Sequence, residues 1–264
     1  MAQIRGILLD VDGVLHVSLS PLPGAAETLR WLAQKGYSYR CVTNTTIFAR
    51  LTLARNLQAI GLPVDADQLI TAPVATASYL RQHYAGKRCW LLTKGDTAED
   101  FAGIDLVEEG AEVVVIGGAE ELLSYETMNR IFRLVMDGAD LLAMHTNLYW
   151  RTAQGLQLDS GPFIYALEQA TGKRATVLGK PNRTFFEQAL LALGVPAQEA
   201  VMVGDDLEND VRAAQQAGLR GILVGTGKHT ADSPLLAHIR PDALLPALAD
   251  LPAWLEAFAD APTL

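Results

Sequence analysis

The stretch ILLDVDGVL, residues 7–15, decides the fold. The apolar run from Ile4 to Leu9 reads as a strand buried on both faces, because such strands show continuous hydrophobicity where half-buried ones alternate. It delivers Asp10 and Asp12 at its carboxyl end, where open α/β sheets place their ligands. Side chains alternate along an extended chain, but the strand is ending here and Gly13 permits a sharp turn, so both carboxylates can face one cavity.

The same alternation of apolar runs and amphipathic segments spreads outward from this stretch. Pro23 to Lys35 reads as a helix closed by Gly36, Tyr39 to Val42 as a strand, and Ala49 to Ile60 as a helix ending at Gly61. Thr71 caps a further helix that has Pro73 in its first turn and runs to Tyr84. The middle of the chain offers strands at Cys89–Leu92, Glu112–Ile116 and Asp140–Met144, with a helix at Tyr125–Met136. A turn-rich stretch, RTAQGLQLDSGP, then precedes a helix at Phe163–Ala170. From Ala175 come strand Thr176–Leu178, helix Thr184–Leu193, strand Ala200–Val203, helix Asn209–Ala217 and strand Gly221–Val224. The tail ALLPALADLPAWLEAF reads as one or two short amphipathic helices. The order predicts an α/β protein with a doubly wound parallel sheet, covered on both faces.

Composition narrows the function classes. The chain has 264 residues, 50% of them hydrophobic, enough to bury roughly 70 to 75% of the unfolded surface without disulfide or metal. Lysine and arginine total 21 against 30 acidic residues, a net charge of −9, so a nucleic-acid backbone or an anionic membrane surface would be repelled. A small anionic substrate is acceptable where a local cation reverses the field. Cys41 and Cys89 lie in separate apolar runs and read as buried, inert thiols. The absence of a signal-like apolar start and of any ~20-residue apolar span predicts a soluble, cytoplasmic protein.

Chemistry enters with three further polar clusters, each ending an apolar strand. Thr43-Asn44 supplies a hydroxyl and a carboxamide, Gly179-Lys180-Pro181 an ammonium, and Gly204-Asp205-Asp206 two carboxylates. In one parallel sheet these ends converge with Asp10 and Asp12 on a single edge. The set suits phosphoryl transfer, in which a carboxylate nucleophile forms an acyl phosphate and divides one hard hydrolysis into two displacements. Carboxylates repel a phosphate dianion, so a cation has to bridge them, and Mg2+ takes hard oxygen ligands from one or two carboxylates. Asp10 and Asp205 are first-choice ligands, with the Asp12 carbonyl beside them. Lys180 adds positive charge, Thr43 and Asn44 offer hydrogen bonds to phosphoryl oxygens, and the N–H groups around Asp12 and Gly13 offer an anion nest. A metal on Asp10 favours its ionised form, which makes Asp10 the nucleophile and Asp12 the acid/base.

DVDGVL, TNT, GKP and GDDLEND, in that order, resemble the four motifs of the haloacid dehalogenase superfamily of hydrolases. The resemblance implies a nucleophile at Asp10, an acid/base at Asp12, and Mg2+ held by Asp10, the Asp12 carbonyl and Asp205. It gives Asp210 a supporting role around metal-bound water and the same standing to Asp206, where the family often has asparagine. An aspartate at position 12 implies a phosphatase or phosphomutase in place of a carbon dehalogenase. The interval from Thr43 to Lys180 implies a large cap of the second type (subfamily IIA, C2), with the core at 1–84 and 175–264 and the cap at 85–174. Asp159, Ser160 and Gly161 would then form a cap loop over the phosphate site, with an ordinary turn before a helix as the competing reading. His145 and Trp150 read as cap packing or substrate contacts, and Ile47-Phe48 departs from the more polar residues of relatives. A homodimer through the cap is a further implication. His16 stands close after the nucleophile loop, yet as a lone histidine it is a weak candidate for catalysis, and His83, His229 and His238 show no ligand spacing.

The expectation is therefore a Mg2+-dependent phosphatase acting on a small phosphomonoester, pyrophosphate or phosphoamidate. A phosphomutase is the alternative enzyme, although the short interval from Asp10 to Thr43 leaves little room for the cap such enzymes carry. A receiver-type signalling domain has a similar aspartate, threonine and lysine but is about half as long, and a non-catalytic regulatory relative would not need every polar position filled.

Overall fold

The computed structural model describes residues 3–152 and 155–259, with the side chains of residues 150–152 left aside. The chain forms two compact units, one of residues 1–43, 53–70 and 180–264, the other of residues 44–52 and 71–179.

In the first unit the strand Gly6–Asp10 is buried along its whole length and lies near the middle of a six-stranded sheet. The order across the sheet is Ala243–Leu245, Arg220–Val224, Ala200–Gly204, Gly6–Asp10, Ser38–Thr43, Leu69–Thr71. Gly6–Asp10 runs parallel to both neighbours, with Leu9 opposite Val203 on one side and Cys41 on the other, and Asp10 opposite Val42. This register brings the carboxyl ends of three strands level, so Asp10, Thr43 and the Gly204-Asp205 turn emerge along one edge. Helix Arg183–Leu193 is started by Asn182, whose Oδ1 accepts the Thr184 N–H at 2.7 Å, and ended by Gly194 in a left-handed conformation. It buries Phe185 and Phe186 fully, their rings meeting edge to face at 6.0 Å.

Two segments of this unit differ from the sequence expectation. Ala243–Leu245, expected as the start of a tail helix, instead pairs with Ile222–Val224 and closes the sheet edge. Pro246 follows and cannot continue a ladder, so the helix waits until Leu251–Ala259. The helix expected at Asn209–Ala217 begins at Leu207 as a wide π-turn through Arg212 and becomes α-helical at Ala213–Gln216. Both the Asp210 and the Val211 N–H groups point at the Asp206 carbonyl, at 3.0 and 3.1 Å, which widens the first turn.

The second unit carries a five-stranded parallel sheet in the order Thr176–Val177, Asp140–Ala143, Val113–Ile116, Arg88–Leu92, Asp105–Leu106. Helix Ala72–His83 is capped by the Thr71 hydroxyl and has Pro73 in its first turn, as expected. Helices Tyr125–Met136 and Ser160–Thr171 are capped by Ser124 and Asp159 and bury Ile131, Val135, Ile164 and Leu167 against Val114 and Ile116. Arg130 lies over the Trp90 ring at 4.2 Å. The stretch expected to be turn-rich is an antiparallel hairpin of Tyr149–Thr152 with Gly155–Leu158, and the following helix starts three residues earlier than Phe163. Leu156 and Leu158 alternate with Gln157, a strand pattern too short to stand out among Gly, Gln, Asp and Ser. Among the described residues no helix is long and apolar enough to cross a membrane.

Two outcomes follow from this packing. Phe185→Ala is expected to lower the unfolding free energy by about 3–5 kcal/mol, read from urea denaturation at fixed m-value. Burial pushes the Cys41 thiol up to about 12 and also raises Cys89. Neither should react with a thiol reagent at pH 8 until the protein is unfolded; rapid labelling of the native chain would contradict the buried placement.

Candidate active site

The site in the first unit is built from residues at strand ends of one sheet, with one departure from expectation: the strand before Lys180, Thr176–Val177, pairs with Asp140–Ala143 in the other sheet, so Lys180 is not carried on the edge that bears Asp10. Asp10 is the last residue of its strand, and its carboxylate is 10% exposed. The chain then turns sharply: Leu15 N–H donates to the Val11 carbonyl at 2.9 Å and Gly13 N–H to the His16 carbonyl at 2.8 Å. Gly13 has φ +81°, and a Cβ there would stand 2.3 Å from Asp205 Oδ2. Only glycine lets this turn approach that carboxylate.

Lys180 is the centre of the cluster. Its buried ammonium donates to Asp10 Oδ1 at 2.6 Å and to Asp210 Oδ1 at 2.7 Å. Asp10, Asp205 and Asp210 each present a carboxylate oxygen within 4.8 Å of the others, and all three are buried. One ammonium facing three carboxylates leaves negative charge in excess. Burial pushes the Asp10 carboxyl up to about 7; Lys180 opposes that rise while Asp205 and Asp12 add to it. Burial likewise raises Asp205 and Asp210, each also pushed by a neighbouring carboxylate. Lys180 moves upward despite burial, because Asp10 and Asp210 hold its proton. The donor set is hard oxygen, buried and short of positive charge, which fits a divalent cation such as Mg2+.

The acidic residues of the last motif divide their work. Asp205 follows strand Ala200–Gly204 and accepts the Lys228 N–H on Oδ2 at 2.6 Å, while its carbonyl accepts the His229 N–H at 3.0 Å. Asp206 accepts the N–H groups of Glu208 and Asn209 and the Lys228 ammonium at 2.7 Å, so it caps the π-turn. Against the upward push of burial, Lys228 and those N–H groups hold its carboxyl below the ordinary value. Asp210 accepts Lys180 on one oxygen and the Asp206 N–H on the other. Gly204 makes this possible, since a Cβ there would lie 2.3 Å from Asp210 Cβ.

The remaining expected residues are placed as follows. Asp12 is mostly exposed, with Oδ1 3.8 Å from His16 Nε2. Thr43 is buried at the end of its strand. Asn44 begins the second unit, where its Oδ1 would lie 2.6 Å from a Cβ on Gly179. In that unit Asp159 Oδ1 accepts the Ser160 N–H and lies 3.9 Å from His145 Nε2. The buried Ser160 hydroxyl donates to the Gly117 carbonyl at 2.5 Å, and Gly161 packs against the carbonyls of Thr146 and Asn147. His145 is buried, with Nδ1 accepting the Asn147 N–H at 3.4 Å. The loop carrying Ile47 is tied to its own unit: Thr46 Oγ1 accepts the Gly118 N–H, and the Thr46 carbonyl accepts both Thr93 and Thr97. The side chain of Trp150 lies outside the described residues.

Sequence reasoning passed over one loop. Thr226 Oγ1 donates to the Gly13 carbonyl at 2.6 Å, Gly227 leaves room for Asp205 Oδ2, and Lys228 binds both aspartates. The available signal was Gly225-Thr226-Gly227-Lys228 directly after an apolar strand.

A parallel sheet with a buried acidic cluster at the carboxyl ends of its strands, joined by Lys180, is an arrangement that suits a hydrolase of the α/β class. Residues 7–107 match the haloacid dehalogenase-like hydrolase family and residues 177–251 a HAD-hydrolase-like family. Haloacid dehalogenase-like hydrolase domain-containing protein 2 of Bos taurus is 41% identical over 86% of each chain. Phospholysine phosphohistidine inorganic pyrophosphate phosphatase of Homo sapiens is 35% identical over 95% of this chain and 93% of that one. Among solved structures, a 4-nitrophenylphosphatase from Thermotoga maritima superposes with a TM-score of 0.88 at 29% identity, covering 94% of this chain and 96% of that one. The chain belongs to the haloacid dehalogenase-like hydrolase family.

Gly204→Ala is expected to displace Asp210 and lower the unfolding free energy by about 1–3 kcal/mol in urea denaturation. A variant as stable as the parent would show that Asp210 does not need this close approach.

Proposed function

We propose that the protein is a Mg2+-dependent phosphatase that hydrolyses a small phosphorylated substrate through an aspartyl phosphate on Asp10. The observation that carries the reading is the buried triad of carboxylates around Lys180, with Asp10 at a strand end. The relatives lend support, since they include a phospholysine phosphohistidine inorganic pyrophosphate phosphatase and a 4-nitrophenylphosphatase. Asp10 and Asp205, with the Asp12 carbonyl, would hold the cation, and Asp210 would orient water around it. Bound Mg2+ would offset the excess negative charge, keep Asp10 ionised and polarise phosphoryl oxygens.

The chain's own groups account for the remaining steps. An Asp10 oxygen attacks phosphorus and the bond to the leaving group breaks, the leaving oxygen or nitrogen taking a proton from Asp12. Asp12, now ionised, takes a proton from water as that water attacks phosphorus, releasing phosphate and restoring both carboxyl groups. Lys180 stabilises negative charge on Asp10 and on the transferring group, and Thr43 contributes a hydroxyl donor. Residues 85–174 are read as the inserted cap, whose shape would select the leaving group. The free, buried cysteines agree with a reducing compartment.

Purified protein should release phosphate from p-nitrophenyl phosphate, pyrophosphate or a phosphoamidate with Mg2+ present, and stop when the cation is chelated. Asp10→Asn should reduce the rate by about three orders of magnitude or more with unchanged folding. Retention of wild-type activity in that variant would sink the mechanism.

A further inference from the structure

We infer that His16 is a positioning residue for Asp12, holding the acid/base carboxyl in the orientation from which it exchanges protons with the leaving group. The inference rests on the phosphatase reading and assigns a task to a residue that this reading leaves without one.

His16 begins a short hairpin, His16–Val17 with Ser20–Pro21, directly after the nucleophile turn. Ser18 and Leu19 turn it with φ of 48° and 58°, a left-handed conformation that L side chains rarely adopt, so the hairpin forms against local preference. The His16 backbone is fixed to the turn: its N–H points to the Val11 carbonyl and its carbonyl accepts the Gly13 N–H. Its side chain is 5% exposed, and neither ring nitrogen meets a hydrogen-bond partner among the described residues. A buried imidazole with both nitrogens unmatched is costly. The polar group facing Nε2 is the Asp12 carboxylate, whose Oδ1 is 3.8 Å away.

The imidazole is buried, whereas the Asp12 side chain is 60% exposed. A side-chain rotation of Asp12 that brought 3.8 Å down to hydrogen-bond length would satisfy the imidazole N–H. The bond lies between two ends of one turn, so it costs little chain entropy. It selects the Asp12 rotamer beside Asp10 over those directed into solvent.

The test uses leaving groups of different basicity. Proton donation matters for an alkyl phosphate, whose leaving alkoxide is strongly basic, and much less for p-nitrophenyl phosphate. His16→Phe should therefore lower kcat for glycerol phosphate by about tenfold or more, and for p-nitrophenyl phosphate by clearly less. His16→Gln, whose amide N–H reaches the Nε2 position, should recover much of the loss. His16→Phe should add no further selectivity in an Asp12→Asn background. The ratio of the two rates on one preparation cancels any inactive fraction, so a partly misfolded variant still reports. Equal losses on both substrates, or the same selectivity with Asp12 removed, would overturn the inference while leaving the phosphatase reading intact. A wild-type protein that hydrolyses neither ester, or an Asp12→Asn variant without leaving-group selectivity, would mark failure of the underlying reading.

Discussion

The Lys180 ammonium between Asp10 and Asp210 is the interaction on which the site depends. Removing either partner of a buried ion pair leaves an uncompensated charge, so the three residues hold each other in place. The arrangement still carries an imbalance, because Asp205 brings a third carboxylate within 4.8 Å of the other two. Burial raises all three carboxyl groups, and the neighbouring carboxylates add to the rise. A protein with a net charge of −9 accepts an anionic substrate only where such a field is reversed locally. The same cluster that would repel an anion is one that could hold a divalent cation.

Such a cluster is held by what surrounds it. The strands beneath are buried throughout, Gly6–Asp10 and Ala200–Gly204 alike, so the carboxylates stand on a rigid base. Glycines then bring backbone within reach: Gly13 and Gly227 leave room for Asp205, and Gly204 for Asp210. Asp206 spends its carboxylate on the π-turn and Lys228, which orients Asp210 from one side and Asp205 from the other. Outer contacts of this kind orient the ligands of a metal site. Among the acidic residues of the last motif, position in the turn separates supporting groups from those that meet Asp10.

Much of the fold was legible because its signals are local. Continuous apolar runs marked the central strands, and Thr71, Pro73, Gly36 and Gly61 marked helix ends by their own backbone chemistry. The strand Ala243–Leu245 was missed because three apolar residues before a proline look alike in a helix and at a sheet edge. The hairpin of Tyr149–Thr152 with Gly155–Leu158 was missed because its alternation is short and its apolar side chains Leu156 and Leu158 remain exposed. The start at Leu207 could not be read either, since the π-turn depends on the Asp206 carbonyl and on room provided by Gly204.

The sequence by itself brought Asp10, Thr43 and Asp205 together, because each stands at the end of an apolar strand of one parallel sheet, whereas Lys180 follows a strand of the other sheet. Only the tertiary structure decided how those residues divide the charge. Whether an aspartate meets Lys180, caps a turn or faces a buried imidazole is set by distances of a few ångströms across residues far apart in the chain, and no local pattern encodes them. Asp206 and Asp210 read alike in GDDLEND, yet one caps the turn and the other holds the ammonium. His16 read as an isolated histidine until its burial and its approach to Asp12 were visible together.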